Sequence, residues 1–401
     1  MISPLYRFVH EAGFKEGRSK LTAEAQRDAE KKYVISTSLC DLCASAVIFL
    51  KEHGVRVTGI VGWDIGGVNV KAAWLKSEQG QPEQVRTASQ PFEIWREKNR
   101  LPDVLRSVFK VITSDTPPRA MAVTMTAELS DIFATKREGV QFVLESVQSC
   151  FPDLSIYAFS LSGEFVPLSE ARLRPLDFAA SNWRASAQWI AGQFPNCLIV
   201  DVGSTTTDIV PVLDGCVSAS GRTDMERLAA GELVYTGVLR TNLAAIVQSV
   251  PVGGRYCRVA SESFTVSGDV HLILGNLNPQ RYTCTTPDGQ PPSVDSARRR
   301  LARLICADTE MLSITEIDEM ARHIYTQQIR QIREAMDQVI SRLPRLREHP
   351  AIVLGSGTFL GSEAAKSLGL IVNDWGHEEM AHAPSLAVAH LLADHLNAGA
   401  R

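Results

Sequence analysis

Two stretches of the sequence decide the fold: "VGWDIGGVNVKAAWL" at residues 61–75 and "LIVDVGSTTTDIVPV" at residues 198–212. In each stretch an apolar run ends in Asp-x-Gly, and a second apolar run follows after a few polar residues. Glycine permits the positive φ angles of tight turns, so each stretch predicts two strands joined as a hairpin. Because Asp64 and Asp201 occupy matching positions, the sequence predicts two related halves that face one site.

The rest of the chain alternates short apolar runs with helical patterns. A buried strand is predicted at residues 121–125, and an Asp-Gly turn at 214–215 is expected to close the second strand pair. Residues 295–345 have helical periodicity, and "AIVLGSGTFLG" predicts a strand, a glycine loop and a helix. One further helix is predicted from the spacing of Val140, Val143, Leu144 and Val147. Alternating strands and helices indicate an α/β fold.

These patterns divide the chain into four segments. A first lobe with the first hairpin is predicted at 58–190, and a second lobe with the second hairpin and the glycine loop at 191–370. Residues 371–401 form a closing segment, whose "SLAVAHLLADHL" predicts an amphipathic helix. Residues 1–57 carry charge runs that cannot bury a core, so we expect a dispensable extension, either disordered or a helical arm.

Composition excludes several classes of function. The chain has 401 residues, 45% of them hydrophobic, and a net charge of −4, which leaves no electrostatic footprint for nucleic acid or an anionic membrane. No apolar run is long enough to span a bilayer, and the thiols are scattered, as is usual in the reducing cytoplasm. Cys40 and Cys43 form one close pair, but no second pair completes a zinc site. We therefore expect a soluble cytoplasmic protein; the sequence leaves its oligomeric state open.

The chemistry of the glycine turns points to phosphate. Glycines let backbone N–H groups approach phosphate oxygens, and a strand-end aspartate can hold Mg²⁺ through water. Asp64 and Asp201 are therefore the candidate metal holders and catalytic residues. The candidate phosphate contacts are Gly66, Gly67, Asn69 and Lys71 in the first hairpin, Gly203, Ser204, Thr205 and Thr206 in the second, and Gly355, Ser356 and Gly357 in the glycine loop. Each turn taken alone is better explained as an ordinary hairpin turn, but the three together, in order and a lobe's length apart, predict a phosphate-binding cleft.

Other polar residues have both a functional and a structural interpretation. Thr126 and Glu128 follow a buried strand, where an acid or base could face a cleft, and Glu128 is our candidate general base. Asp131 could cap the next helix, and Lys136 could meet a diphosphate or begin a solvated helix. Four more residues, Arg222, Asp224, Glu232 and Tyr235, could line a substrate pocket or belong to a capped helix with a polar face.

The order of the three turns resembles the actin, sugar kinase and Hsp70 superfamily, and "DVGSTTTDIVPV" is similar to its hydantoinase/oxoprolinase branch. Within that branch, "VTMTAELSDIFATKREGVQFVLESV", "AASNWRASA", "GRTDMERLAAGELVYTGVLRT" and "DVHLILGNL" resemble a family linked to tetrahydromethanopterin-dependent C1 transfer, which includes a methanofuran-biosynthesis synthase. The resemblance covers about residues 59–395. It implies a two-lobed, ribonuclease H-like fold with a central cleft.

The resemblance also implies a reaction. A tyramine-like phenol would attack the CH₂ group of a furanylmethyl diphosphate and release pyrophosphate. The partners would then be a small diphosphate and a phenolic amine, and the cofactor would be Mg²⁺, with ATP binding left open. Three alternatives remain at this level: an ATP-dependent small-molecule kinase, a hydantoinase/oxoprolinase-like hydrolase, and a ligand-sensing regulator with an ATPase fold.

Overall fold

The computed structural model describes residues 59–76, 84–113, 117–375 and 378–399, so the predicted extension at 1–57 lies outside the described residues. The strands are β1 Ile60–Ile65, β2 Asn69–Lys76, β3 Gln84–Pro91, β4 Ala120–Met125, β5 Ser155–Phe159, β6 Phe165–Pro167, β7 Cys197–Val202, β8 Thr207–Leu213, β9 Cys216–Val217, β10 Leu233–Val234, β11 Ser249–Val252, β12 Arg255–Arg258, β13 Ala351–Leu354 and β14 Val372–Asp374.

The helices of the described residues are α1 Ile94–Glu97, α2 Leu101–Ile112, α3 Lys136–Cys150, α4 Leu168–Ala171, α5 Asn182–Ala191, α6 Asp224–Ala230, α7 Ser267–Ile273, α8 Val294–Arg303, α9 Ile314–Arg342, α10 Thr358–Ser367 and α11 Ala383–Gly399. The predicted helix around Val140 is α3, and the helix-rich region contains α8 and α9. Among the helices in the described part of the chain, none combines the length and apolarity that a bilayer crossing requires.

Two mixed sheets form the two lobes. The first sheet has the order β3-β2-β1-β4-β5-β6, and the second has the order β10-β8-β7-β13-β14, with β9 on β8. In the first sheet β1 pairs antiparallel with β2 and parallel with β4; in the second, β7 pairs antiparallel with β8 and parallel with β13. The predicted two-lobed α/β fold, with one hairpin in each lobe, is confirmed.

Helices cover both faces of each sheet. On the first sheet, one face packs on α2 and α3, and the opposite face packs on α11. The second sheet packs on α9 and α10 through one face and on α5 through the other. Since α5 and α11 also pack on each other, these two helices lie between the sheets.

The contact between α11 and β1 depends on one glycine. A Cβ atom at Gly62 would lie 2.0 Å from the carbonyl oxygen of Ser385 and 2.8 Å from the amide nitrogen of Ala389. Residues 383–389 are buried on every side, so the prediction of an amphipathic closing helix is wrong for this half of α11. A helix placed between a sheet and another helix has no face left for water.

The hairpin turns differ from expectation in their backbone. Neither Gly66 nor Gly67 adopts a positive φ. The prediction that this turn needs glycine for a positive φ angle is therefore wrong at both positions. The Asp-Gly turn does have left-handed residues, with φ 52° at Asp214 and 74° at Gly215, but it joins β8 to β9 rather than β7 to β8. Residues 203–206 make the connection between β7 and β8.

Candidate active site

The first hairpin places Asp64 near the end of β1, directly opposite Lys71 on β2. Asp64 is buried, and its Oδ1 atom has no hydrogen-bond partner among the described residues. Burial raises the pKa of Asp64, the charge of Lys71 opposes that shift, and the charge of Asp208 adds to it. A buried carboxylate with an unpartnered oxygen is able to accept a ligand.

The second hairpin places Asp201 near the end of β7, directly opposite Asp208 on β8. Burial, and then the charge of Asp208, raises the pKa of Asp201 to about 7. Asp208 is itself held by Arg227, whose Nη1 atom lies 2.8 Å from its Oδ1 atom. The sequence interpretation missed Asp208, although it follows Asp201 at the spacing at which Lys71 follows Asp64.

The two hairpins meet across the cleft. Asp201 is influenced by the charges of Asp64 and Lys71 from the first lobe, and Asp64 by that of Asp208 from the second. The structure therefore brings the predicted pair Asp64 and Asp201 together. The ammonium group of Lys71 donates a hydrogen bond to the carbonyl oxygen of Ala381 at 2.7 Å, so the start of the closing segment borders the same site.

Some glycines of the two turns form hydrogen bonds within the turn, and another borders open space. The N–H groups of Gly66 and Gly203 close their own turns, donating to the carbonyl oxygens of Asn69 at 2.9 Å and Thr206 at 2.8 Å. A Cβ atom at Gly67 would meet no atom within 4 Å. Of the first-hairpin glycines, Gly67 thus has the open space that a phosphate group would need.

The glycine loop after β13 packs on the second hairpin. Gly355 has a φ of 88°, and a Cβ atom there would lie 2.4 Å from the Oδ1 atom of Asp201. The N–H group of Gly357 donates to the carbonyl oxygen of Val202 at 3.0 Å. Ser356 lies between them, so this loop holds Asp201 in place from one side, and a side chain at Gly355 would displace it.

A second group of polar residues follows β4. The N–H group of Thr126 donates to the carbonyl oxygen of Ile65 at 3.0 Å, which ties this segment to the end of β1. Glu128 is buried, and no side chain among the described residues forms a hydrogen bond with its carboxylate oxygens. Burial raises the pKa of Glu128 to about 8, against the opposing effects of its own backbone N–H group, the charge of Lys136 and the backbone N–H group of Ala180. Glu128 therefore fits a group that exchanges a proton near pH 8 and accepts one in its ionised form.

An ion pair joins the lobes beside Glu128. The Nζ atom of Lys136, at the start of α3, lies 2.6 Å from the Oδ2 atom of Asp224, at the start of α6. Tyr235 is half exposed, and its pKa is raised by burial and by the charges of Asp224 and Glu128. The structure thus brings together Glu128, Lys136, Asp224 and Tyr235, which the sequence had proposed separately.

Some predicted residues serve the helices instead. A capping box of Thr223 and Glu226 begins α6, and the side chain of Arg222 is exposed. The expectation that Glu232 lines a substrate pocket is wrong: Glu232 is fully buried and accepts hydrogen bonds from the backbone of residues 220–221 and from Arg342. Thr135, not Asp131, caps α3.

The C-terminal histidines among the described residues, His382, His390 and His395, do not form a group. His390 stacks on Trp189, and His395 contacts Phe165. His382 lies near Lys71, where burial and then that charge lower its pKa to about 4. Within the described ranges, no three His, Cys, Asp or Glu side chains are close enough to hold a metal ion unaided. A cation between Asp64 and Asp201 would therefore need water or substrate oxygens as further ligands.

A cavity of about 260 Å³ lies beside the two hairpin turns. The first lobe contributes Val68, Asn69 and the charged segment 93–100, and the second lobe contributes Ser204, Arg240 and residues 283–285. Apart from Asn69 and Ser204, the polar residues of this cavity were missed by the sequence interpretation. The sequence of residues 93–100, "EIWREKNR", is typical of a solvated helix and contains no phosphate-binding motif.

Comparison with known proteins adds a family to this geometry. The family model for hydantoinase/oxoprolinase matches residues 119–395. A curated protein of Methanocaldococcus jannaschii, named (4-{4-[2-(gamma-L-glutamylamino)ethyl]phenoxymethyl}furan-2-yl)methanamine synthase, is 33% identical over 341 residues, which cover 84% of this chain and 98% of the relative. A protein of the same name from Methanococcus vannielii is 33% identical over 215 residues, 51% of this chain and 93% of the relative.

Solved structures agree on the fold. The nucleotide-free structure of acetone carboxylase superposes with a TM-score of 0.52 at 10% identity, covering 83% of this chain and 70% of the other. At that identity the similarity establishes the fold alone. With the two hairpins and the glycine loop, it supports the actin, sugar kinase and Hsp70-like fold that the sequence predicted.

Proposed function

The chain belongs to the hydantoinase/oxoprolinase family, and from that premise we propose that it is a synthase that joins a furanylmethyl diphosphate to a tyramine-like phenol. The curated relatives bear a synthase name, and the product in that name contains a phenoxymethylfuran ether. We further propose that the reaction serves methanofuran or methylofuran biosynthesis, for tetrahydromethanopterin-linked C1 transfer in the cytoplasm.

The observation that carries the proposal is the meeting of Asp64, Lys71, Asp201 and Asp208 between the lobes. Glu128 follows two residues after Thr126, which is bonded to the end of β1. Forming an aryl ether from a diphosphate requires two things of a site. A group must accept the phenol proton, and the leaving diphosphate must have its growing negative charge neutralised. The two parts of the cleft match these two requirements.

On the proton side, we assign the general base to Glu128. Its pKa of about 8 lies below the ordinary pKa of a phenol but close enough for efficient transfer, and among the described residues no side chain is bonded to its oxygens. In the proposed step the phenol oxygen attacks the CH₂ carbon, its proton passes to Glu128, and the C–O bond to the diphosphate breaks. Tyr235 and the pair Lys136–Asp224 would border the phenolic ring.

On the leaving-group side, the carboxylates of Asp64, Asp201 and Asp208 outnumber the cationic groups of Lys71 and Arg227. This excess of buried negative charge, with the unpartnered Oδ1 atom of Asp64, fits a hard divalent cation such as Mg²⁺. When bound, Mg²⁺ would neutralise diphosphate charge, and Asp64 and Asp201 would hold it. Lys71 supplies a fixed positive charge in the same place.

The experiment is an assay of the purified protein with Mg²⁺, tyramine and a furanylmethyl diphosphate. The expected result is a coupled ether and one pyrophosphate per ether, with γ-glutamyltyramine as a second phenol to compare. A kinase would instead consume ATP and release no pyrophosphate. ATP consumption without ether formation would therefore refute the proposal and favour the kinase alternative, and hydrolysis of a cyclic amide would favour the hydrolase.

A further inference from the structure

The cavity beside the hairpin turns adjoins the leaving-group side of the site described above. Asp64, Asp201 and Glu128 do not line it, although it contacts the turn residues Asn69 and Ser204. Both lobes contribute to its wall, as expected for a ligand site in a cleft. Three of its lining residues are arginines, and two are glutamates.

Arg240 is the most firmly placed of the arginines. Its backbone N–H group donates to the carbonyl oxygen of Ser204 at 3.1 Å, so it is attached to the turn of the second hairpin. Its guanidinium group lies 4.8 Å from the ring centre of Trp95, across the cleft. Stacking of this kind fixes the plane of an arginine while leaving its N–H edge available.

The charge of Arg240 is weakly compensated. Its closest carboxylate among the described residues is Glu93, at 3.9 Å, which is longer than a hydrogen bond. The same glutamate lies 3.0 Å from Arg96, and its contact with the hydroxyl of Thr285 is 3.5 Å. Glu93 is thus shared among several partners and fully satisfies only one of them.

The other two arginines carry surface ion pairs. Arg96 pairs with Glu93 and Arg100 with Glu97, each three residues apart, and the arginine side chains are 58% and 63% exposed. Exposed pairs of this kind contribute little to stability. A ligand with several negative charges could therefore replace the glutamates as partner of these guanidinium groups with little loss of folding free energy.

We propose that this cavity binds the diphosphate group of the substrate, with Arg240 as the residue that selects for it. The identity of the substrate rests on the proposed function. Planar guanidinium groups bind phosphate oxygens through two N–H groups at once, and Asn69, Ser204 and Thr285 add neutral donors. The position also fits, because the cavity begins at the turns whose strands carry Asp64 and Asp201.

The cavity contains its own reporter, because Cys284 lines it and is half-buried. The test measures alkylation of Cys284 by iodoacetamide, with peptide mass spectrometry, in the presence and absence of inorganic pyrophosphate and Mg²⁺. We expect pyrophosphate to slow alkylation of Cys284 and to leave the exposed Cys306 unchanged. Equal rates at Cys284 with and without saturating pyrophosphate would overturn the proposal.

The matched variants are Arg240→Ala, Arg240→Lys and the control Arg330→Ala, an exposed arginine on α9 paired with Glu334. Losing one hydrogen-bonded charge should weaken pyrophosphate binding roughly tenfold to a hundredfold in Arg240→Ala. Arg240→Lys retains the positive charge but lacks the paired N–H groups of a guanidinium. Its affinity for pyrophosphate should lie between those of Arg240→Ala and wild type. The control should bind as wild type does, and circular dichroism reports folding for all three.

Two results separate this inference from the proposed function. Protection of Cys284 by pyrophosphate without any ether formation would support the cavity and refute the synthase activity. Ether formation with an unchanged KM for the diphosphate in Arg240→Ala would support the activity and refute the cavity. A rise in KM for the phenol alone would also refute it, because the cavity would then hold the other substrate.

Discussion

The two lobes build their part of the cleft in the same way but fill it with different charges. Each has a hairpin and a third strand parallel to the first, β1-β2-β4 in one lobe and β7-β8-β13 in the other. Opposite Asp64 stands Lys71, whereas opposite Asp201 stands Asp208. One cross-strand position therefore gives the first hairpin a carboxyl group and an ammonium group, and the second hairpin two carboxyl groups, on the same backbone.

The third strands extend this difference. After β4 the chain enters a turn with the buried carboxyl group of Glu128, whereas after β13 it enters a loop whose Gly355 packs against Asp201. The first lobe thus supplies side chains that can exchange a proton. The second supplies a rigid backbone around its carboxylates. A duplicated scaffold can in this way divide a two-substrate reaction between its copies.

The largest expected effect comes from removing the negative charge of the aspartate that each hairpin has at the matching position. Asp64→Asn and Asp201→Asn retain the shape of the side chain but remove its charge, so we expect kcat to fall by roughly 10² to 10³. Folding should survive, because the amide avoids the burial penalty that raises the pKa of both aspartates. The measurement is turnover as a function of Mg²⁺ concentration.

Asp214→Asn is the matched control for these two variants. Asp214 lies in the β8–β9 turn, exposed, with a left-handed backbone that asparagine also tolerates, and it pairs with Arg345 outside the cleft. Its turnover should equal that of wild type. If Asp64→Asn and Asp201→Asn behave like this control, the two turns are ordinary hairpins and the site lies elsewhere.

Glu128→Gln should lower kcat by roughly 10² or more, the usual contribution of a general base. Since the pKa of Glu128 is about 8, kcat/KM of the wild type should rise with pH until about pH 8, and the variant should lose this rise. The effect of Glu128 on the stability of the folded protein changes with pH in the opposite direction. A carboxyl group with a raised folded-state pKa loses stabilisation as pH rises from its ordinary value through 8.

The check is therefore a pair of pH profiles, one of kcat/KM and one of the midpoint of urea unfolding. Glu128→Gln should flatten both, whereas Glu138→Gln, an exposed change near the start of α3, should flatten neither. An unchanged kcat/KM profile in Glu128→Gln would assign the proton acceptor to another residue.

Lys71→Met should make the first hairpin electrostatically more like the second. The opposing charge would be lost, so the pKa of Asp64 should rise further. The loss of a fixed cation should raise the KM for the diphosphate roughly tenfold, with a smaller effect on kcat. Steady-state kinetics with each substrate varied in turn provide the measurement, and a change only in the KM for the phenol would contradict the assignment.

The smallest effect is expected for Gly67→Ala. The added methyl group would meet no protein atom within 4 Å and the backbone φ is negative, so the free energy of unfolding should change by no more than about 0.5 kcal/mol. If phosphate occupies that space, the KM for the diphosphate should nevertheless rise severalfold. Thermal unfolding and kinetics of the same sample separate the two effects, and an unchanged KM would place phosphate away from this turn.

The sequence was sufficient for the fold and for the positions of the two aspartates near strand ends, because both depend on local patterns. Strand-end Asp-x-Gly and alternating apolar runs can be read without knowing what packs on them. Asp208 could have been found as well, since aligning the two hairpins places it at the position of Lys71.

Other features depended on distant contacts and left no local signal. The burial of residues 383–389 of α11 on every side follows from their place between β1 and α5, and the structural role of Glu232 follows from Arg342 on α9. Arg240 gains its significance from Trp95 in the other lobe. No pattern within either segment predicts such pairs, because their partners lie far away in sequence.

The seating of the closing segment on the first hairpin has a consequence for the order in which the protein is made. Lys71 and Ala381, whose hydrogen bond borders the site, are 310 residues apart, and Gly62 of β1 contacts Ser385 and Ala389. A ribosome therefore produces the strand that carries Asp64 long before the helix that covers it. Until α11 has been synthesised, the face of the first sheet that packs on it stays exposed. Chaperones or rapid completion of the chain would then be needed to avoid aggregation. Catalytic competence should appear late and all at once, when the last helix arrives.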